Sequence, residues 1–402
     1  MTTSVRRWPI AGFYACYFAV VGVWIPYWPL YLANLGLGAQ TIGLLTALTQ
    51  WIRIPAPPLW GHIADRIGRY PIILGTCLGA LTAFSLFFID SSLLWIFGVT
   101  LLHSLFHTGP LSLVDATAME QSIAHHWDYG RLRLWGSWGF IVCALGGGPL
   151  SDRFGLETIP MLIALLLALT ALFATRLPRT SVRHDTRRRF WSLFERADVR
   201  WFYFSATMMQ FSHGGYYGFM SLHLQQQGYS RTAIGLLWAV GVLAEVVLMS
   251  RSRAWIERVG VAPLLTLSLL LATLRWSIYA TTVELVWLVG AQLLHAFTFG
   301  AFHVASVRRV HDFAPESARG VAQGWLAALS YGVGGGMGVA LSGVLFEHVG
   351  HAAMFGMLAL AAGVGTLASR RAGRLLATDP SSPGTGSEQP DATTPRNPPW
   401  NP

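Results

Sequence analysis

The chain has 402 residues, of which 53% are hydrophobic and only 12% charged, with a mean hydropathy of +0.46 and a formal net charge of +9. A soluble protein carries about 25% charged residues, so this composition excludes a soluble domain and predicts a polytopic membrane protein. The basic excess flanks apolar runs, which makes it a topology signal and excludes a nucleic-acid partner. All 28 basic residues are arginine, which rules out lysine-based covalent chemistry.

A hydrocarbon core needs about 20 apolar residues per helix. Twelve stretches qualify: 8–32, 41–60, 71–89, 93–117, 132–150, 157–176, 201–222, 232–250, 262–280, 285–307, 320–345 and 352–369. The first is too long for the apolar region of a signal peptide and reads as a true span. Cys16, Cys77 and Cys143 fall on three different spans, so they form neither a disulfide nor a metal set. No cofactor is expected. With an internal N-terminus, 24 arginines fall in cytoplasmic segments and two, Arg153 and Arg231, in outer loops. That bias predicts both termini inside. Arg53 and Arg275 lie within spans.

The predicted organisation is a first six-helix unit over 1–177, a basic cytoplasmic linker over 178–200, a second unit over 201–376, and a tail over 377–402. The tail is rich in Pro, Ser, Thr and Gly and is expected to be disordered.

The chain repeats itself at an offset of 192 positions. Ile42-Gly43-Leu44-Leu45 recurs as Ile234-Gly235-Leu236-Leu237, Leu101-Leu102-His103 as Leu293-Leu294-His295, and Gly36 as Gly228. Between spans 2 and 3, Gly61–Arg69 reads Gly-His-Ile-Ala-Asp-Arg-Ile-Gly-Arg, with a degenerate copy in which Glu257, Arg258 and Gly260 match Asp65, Arg66 and Gly68. Repeated helical halves place a solute site at their interface, near the bilayer midplane. Gly61-x-x-x-Asp65-Arg66-x-Gly68-Arg69 resembles the loop 2–3 signature of the major facilitator superfamily. It lacks only the last basic residue, since position 70 is Tyr. The resemblance implies an all-α membrane fold of twelve helices in two pseudo-symmetric bundles. It also implies that the motif gates conformation and holds no solute.

An ionisable residue at a span centre costs about 2.5–3.5 kcal/mol, so those that persist are paired or used. Here they are Arg53, His103, His107, Asp115, Arg133, His213, Glu245, Arg275, His295 and His303. Glu245 stands 192 positions after Arg53, giving each half one charge of opposite sign, both able to face a central cavity. Arg275 is a natural partner for Glu245 or for a histidine of span 10. His295 and His303 are expected about 80° apart on an α-helix. The paired histidines lack a third ligand at zinc spacing.

The stretch from Asp128 to Phe140 resembles the start of helix 5 in the lactose permease branch. That resemblance implies that Asp115 and Arg133 pair across the solute, while Arg131 remains a positive-inside residue. It also maps Glu245, Arg275 and His295 onto a proton-coupling set, but Thr298 stands where the branch has an acid. A closer similarity is to the 3-phenylpropionic acid transporters. It rests on Pro26-x-x-Pro29, Arg53, Tyr129–Ser137, His213–Phe219, Gly241-x-x-Ala-Glu245, Leu274-Arg-Trp276 and Leu294 to His303.

An aromatic acid needs a cation for its carboxylate and apolar walls for its ring. Arg53 and Arg133 can supply the first; Trp135, Tyr216 and Tyr217 can supply the second. Glu245, Arg275, His295 and His303 are the expected proton-coupling residues. Asp115 with Trp135 also permits a sugar or nucleoside. A membrane enzyme or receptor would need a nucleophile, metal set or appended domain, and none is visible. The expectation is a monomeric, proton-coupled transporter of the bacterial inner membrane, taking a small-molecule substrate and bounded by lipid.

Overall fold

The structure is a computed structural model that describes residues 7–179 and 194–378. Most of the predicted linker and nearly all of the tail lie outside the described residues. The first half holds α1 (Trp8–Asn34), α2 (Ala39–Trp51), α3 (Ala56–Ile67), α4 (Arg69–Ser85), α5 (Leu93–His107), α6 (Pro110–His125), α7 (Tyr129–Phe154) and α8 (Thr158–Ala174). The second holds α9 (Ala197–Gln226), α10 (Arg231–Met249), α11 (Ser252–Val259), α12 (Val261–Thr281), α13 (Leu285–Phe313), α14 (Arg319–His348) and α15 (His351–Ala377).

Twelve spans emerge because three are broken in two. The pairs α2–α3, α5–α6 and α10–α11 each make one span. Length and hydropathy alone pick out seven of the twelve. The others escape because α2–α3 and α5–α6 are interrupted, α8 has 17 residues, and α7 and α9 carry glycines and polar side chains facing protein instead of lipid. Span 2 was expected to be continuous. It breaks at 52–55 because Pro55 disfavours helical geometry at Ile54, and Arg53 sits in that break.

The halves repeat one packing scheme. Helix α1 crosses α7 and α8 as α9 crosses α14 and α15, and α4 lies on α8 as α12 lies on α15. Gly68 and Gly260 end α3 and α11 at φ +95° and +83°, a left-handed backbone that admits little but glycine.

The two halves meet at the end of the bundle remote from Gly61–Arg69. There the Gln40 amide donates to Glu347 at 2.6 Å, and Thr232 donates to Asp152 from its amide and its hydroxyl at 2.9 and 2.7 Å. Gly43 lies so close to Gly343 that a Cβ there would meet its Cα at 3.0 Å, as small residues allow between membrane helices. The seam of α2 against α14 runs inward as far as Ile54 and Gly332. At the motif end, α3, α6 and α11 pack within their own halves. Arg69 pairs with Glu120 at 2.6 Å, while Asp65 and Arg66 are exposed and make no ion pair among the described residues. The bundle is therefore closed at one end and parted at the end that carries the motif.

Candidate functional site

In the first half, α6 and α7 bring Asp115 and Arg133 together, with Arg133 Nε 3.5 Å from Asp115 Oδ1. Asp115 also accepts from the Tyr14 hydroxyl at 2.6 Å and the Tyr129 hydroxyl at 3.2 Å. The Arg133 guanidinium lies over the rings of Phe18, at 4.3 Å, and Tyr14, at 5.0 Å. Asp115 is thus heavily bonded, and Arg133 keeps donors that face across the bundle. Arg133 lies within electrostatic range of Glu245 and His303 in the other half.

Arg53, in the break of span 2, is exposed, and among the described residues it makes no ion pair. Its charge reaches Tyr17 on α1, His107 on α5 and Tyr331 on α14, so it lies where the two halves face each other.

In the second half a buried network surrounds Arg275, which is fully inaccessible. Its Nη1 donates to His295 Nδ1 at 3.0 Å and to the Thr298 hydroxyl at 3.2 Å, and its Nη2 donates to Gln292 at 3.0 Å. The rings of Tyr216 and Trp276 lie 4.2 and 4.6 Å from its Cζ. A guanidinium has no acceptor, so His295 Nδ1 must carry a lone pair. The ring is therefore neutral, with its proton on Nε2, and Nε2 faces the Glu245 carboxylate at 3.6 Å. Of the two partners the sequence allowed Arg275, the histidine makes the direct contact, and Glu245 is reached through it. Thr298 supplies a neutral hydroxyl where the resembling branch has an acid.

One expectation needs correction from the structure of α13. Residues Ala296–Ala301 form a π-helical segment, and its wider i→i+5 turn brings residues four apart nearly over one another. His295, Phe299 and His303 consequently form one column of rings, at 5.4 and 6.3 Å with interplanar angles of 12° and 8°. The expected separation of about 80° assumed an uninterrupted α-helix. His303 ends that column exposed to the space between the halves.

The aromatic walls also need correction. Tyr216 is fully buried and donates to Gln292 at 2.9 Å, so it cages Arg275 and does not line the open space. Trp135 lies about 200° around α7 from Arg133, on the outward face with Arg131, Leu134 and Trp138. A ring placed there faces lipid. Tyr217 is half-buried and packs on Trp238 at 6.1 Å. Gly61, Asp65, Arg66, Gly68 and Arg69 form the end of α3 and the start of α4; Glu257, Arg258 and Gly260 take the matching places at α11 and α12.

Sequence reasoning missed Gln292, Tyr14, Tyr129 and Tyr331. Gln292 carries a signal, being a polar residue one repeat after Thr100 in an apolar run. Tyr331 carries none, because it sits in a glycine-rich stretch beyond the ungapped repeat.

Comparison with known proteins agrees with this architecture. Residues 7–357 match the family described as "MFS_1 like family". The chain is 29% identical over 375 residues to a "Probable 3-phenylpropionic acid transporter" of Escherichia coli (strain K12), covering 90% of this chain and 96% of that protein. It is 27% identical over 362 residues to "Maltose permease" of Geobacillus stearothermophilus, covering 86% and 89%. The crystal structure of the nucleoside transporter NupG superposes with a TM-score of 0.78 at 17% identity, covering 93% of this chain and 99% of that one. At that identity the likeness speaks for the fold alone. The chain is a multi-pass membrane transporter, not an enzyme, and belongs to the MFS_1-like family of the major facilitator superfamily.

Proposed function

We propose that this protein is a proton-coupled symporter of a small organic acid, such as 3-phenylpropionate, working by alternating access. The observation that carries the reading is Arg53, a guanidinium in the break of span 2, exposed where the halves face each other and without an acidic partner among the described residues. An uncompensated cation at membrane depth is costly. A carboxylate from the solute would neutralise it through short charge-assisted hydrogen bonds. Arg133, already anchored by Asp115, could turn its remaining donors to the same anion. The similarity to a 3-phenylpropionic acid transporter supports the same solute class.

Glu245 is the proton carrier in this reading. Its neighbour His295 already presents Nε2–H and cannot take a second proton on Nδ1 while Arg275 donates there. A proton that reaches this pair therefore settles on the Glu245 carboxylate. An anion on Arg53 and a proton on Glu245 cross together without net charge, which avoids the cost of carrying an unpaired ion. The motif end is cytoplasmic on the arginine bias, so the parted end opens inward, in a bacterial inner membrane with both termini inside. A single chain contains both halves of the site, and the working unit is a monomer in which the 178–200 segment joins two bundles.

Uptake of labelled 3-phenylpropionate and labelled maltose into proteoliposomes, with and without an inward proton gradient, tests the reading. Gradient-driven accumulation of the acid is expected. Gradient-driven uptake of maltose alone would favour a sugar, which the similarity to a maltose permease makes the second reading. Uptake of neither would remove both.

A further inference from the structure

Helix α14 contains the second π-helical segment among the described residues, Ala328–Gly335, and Tyr331 lies inside it. Next to Tyr331 and within the same segment, Gly332 abuts Ile54 on the seam between the halves, one residue from Arg53. The Tyr331 hydroxyl lies 3.5 Å from His303 Nδ1, and it is this phenol's single hydrogen-bonding contact among the described residues. Tyr331 also lies within electrostatic range of both Arg53 and Glu245. Two wide turns, one on α13 and one on α14, thus set a histidine and a tyrosine against each other in the space between the solute cation and the proton carrier.

Building on the symport reading, we propose that Tyr331 is a solute-contacting, specificity-determining residue whose hydroxyl links the carboxylate held by Arg53 to the proton state of His303. A phenol has one proton to donate. When His303 Nδ1 bears a lone pair, the Tyr331 hydroxyl donates to it and has nothing left for the solute. When Nδ1 bears a proton, that N–H donates to the phenol oxygen, and the hydroxyl turns to the carboxylate. A neutral His303 can hold its proton on either nitrogen, whereas an imidazolium must carry one on Nδ1; the anion is therefore bound best by the imidazolium, and the link makes solute affinity rise with acidity. The charged and titratable groups that face His303 are Tyr331 on α14, Arg133 on α7 and Glu245 on α10; Gly300 packs directly against the Glu245 side chain.

The test is the variant Tyr331→Phe, which keeps the ring and removes the hydroxyl. Initial rates of 3-phenylpropionate uptake are measured in proteoliposomes between pH 5.5 and 8, next to wild type and Tyr229→Phe. Tyr229 bonds the Val283 carbonyl in a loop far from the site. At acidic pH the KM of Tyr331→Phe should rise about ten-fold, with kcat nearly kept, and its pH dependence should flatten. Tyr229→Phe should match wild type. A wild-type KM and pH profile in Tyr331→Phe would overturn the proposal while leaving the symport reading intact. A fall in kcat at unchanged KM would also overturn it, since that marks a structural role. If wild type itself takes up no 3-phenylpropionate, the symport reading fails first.

Discussion

The two halves share a frame and differ in what it holds. Trp24, Phe84, Phe87 and His103 in the first half stand 192 positions before Tyr216, Trp276, Tyr279 and His295 in the second. The contacts repeat as well. Trp24 lies on His103 at 5.3 Å and Tyr216 on His295 at 5.9 Å; Trp24 meets Phe84 at 6.2 Å and Tyr216 meets Trp276 at 5.3 Å. His103 stacks on His107 at 5.2 Å, and His295 stacks on the equivalent Phe299 at 5.4 Å. Inside this frame, Ala83, Thr100 and Phe106 of the first half correspond to Arg275, Gln292 and Thr298 of the second. The histidines follow suit. His103 Nδ1 lies 3.1 Å from the Ala80 carbonyl, which can only accept, so it carries the proton; His295 Nδ1 accepts from Arg275 and puts the proton on Nε2. One frame with opposite tautomers makes the first half a closed structural pack and the second a wired one, aimed at Glu245.

The largest effect should come from erasing that difference in steps. Arg275→Ala leaves His295 and Thr298 buried without their donor, and Gln292 with Tyr216 alone, and should cost about 2–4 kcal/mol, with transport lost. Converting the network to the first half's residues, Arg275→Ala with Gln292→Thr and Thr298→Phe, removes two of the three acceptors and frees His295 to take the tautomer of His103, leaving the Tyr216 hydroxyl as the one group that must find a new acceptor. That triple variant should regain most of the lost thermal stability in detergent while remaining inactive. A triple variant as unstable as the single one would mean that the frames are not equivalent. One that accumulates solute would mean that the polar network is not needed for transport.

Arg53 and Glu245 occupy one position of the repeat, so they probe the halves at equal depth. Arg53→Gln should lower kcat/KM for 3-phenylpropionate about 10- to 100-fold through lost charge-assisted hydrogen bonds, with the protein still inserted. Uptake at the wild-type rate would take Arg53 out of the site. Glu245→Gln should act differently, since Gln keeps the shape but carries no exchangeable charge. Counterflow exchange between equal solute pools should persist, while accumulation against a gradient and its pH dependence disappear. Persistent gradient-driven accumulation in that variant would move the proton role to the histidines.

The fold was largely legible because the constraints that define it are written in apolar length, arginine bias and a repeat with no gap. The ionic pairs were partly legible for a related reason: charge at membrane depth is rare enough that Asp115, Arg133, Glu245 and Arg275 stand out alone. What the sequence hides is rotation about a helix axis. Trp135 and Arg133 are two residues apart and face opposite ways, and composition cannot rank the two faces of a helix that is apolar all round. The π segments hide for the same reason. Phe-Thr-Phe-Gly within Ala296–Ala301 has no proline and a single glycine of a kind common in these spans, yet its wider turn moves His303 into line with His295. Tyr216 illustrates the remaining gap, because an aromatic beside a buried cation can equally cage it or line a cavity, and only packing decides.

The smallest predicted effect lies at the closed end, where the halves meet through solvent-facing groups at the tips of α7 and α10. Asp152 loses some hydration there, which alone would raise its pKa. The Thr232 hydroxyl and amide, the Arg231 amide and the Arg231 guanidinium, 3.9 Å away, outweigh this and hold the carboxyl below the usual carboxylate range. A depressed pKa in the closed state means that closure is favoured fully above the ordinary carboxylate value and loses this contribution only as pH falls through the lowered one. Closure at this end should therefore be insensitive to pH across the neutral range and weaken in strong acid. Asp152→Asn keeps one acceptor and removes the charge, and for a pair this exposed the shift toward the parted state should be no more than about five-fold. Distances between nitroxide labels on Leu35→Cys and Thr282→Cys, with native cysteines replaced, measure the two populations directly. If Asp152→Asn leaves the neutral-pH distribution unchanged and acid leaves that of wild type unchanged, the seam is held by its glycine contacts, Gly43 on Gly343 and Gly148 on Thr232, and not by this carboxylate.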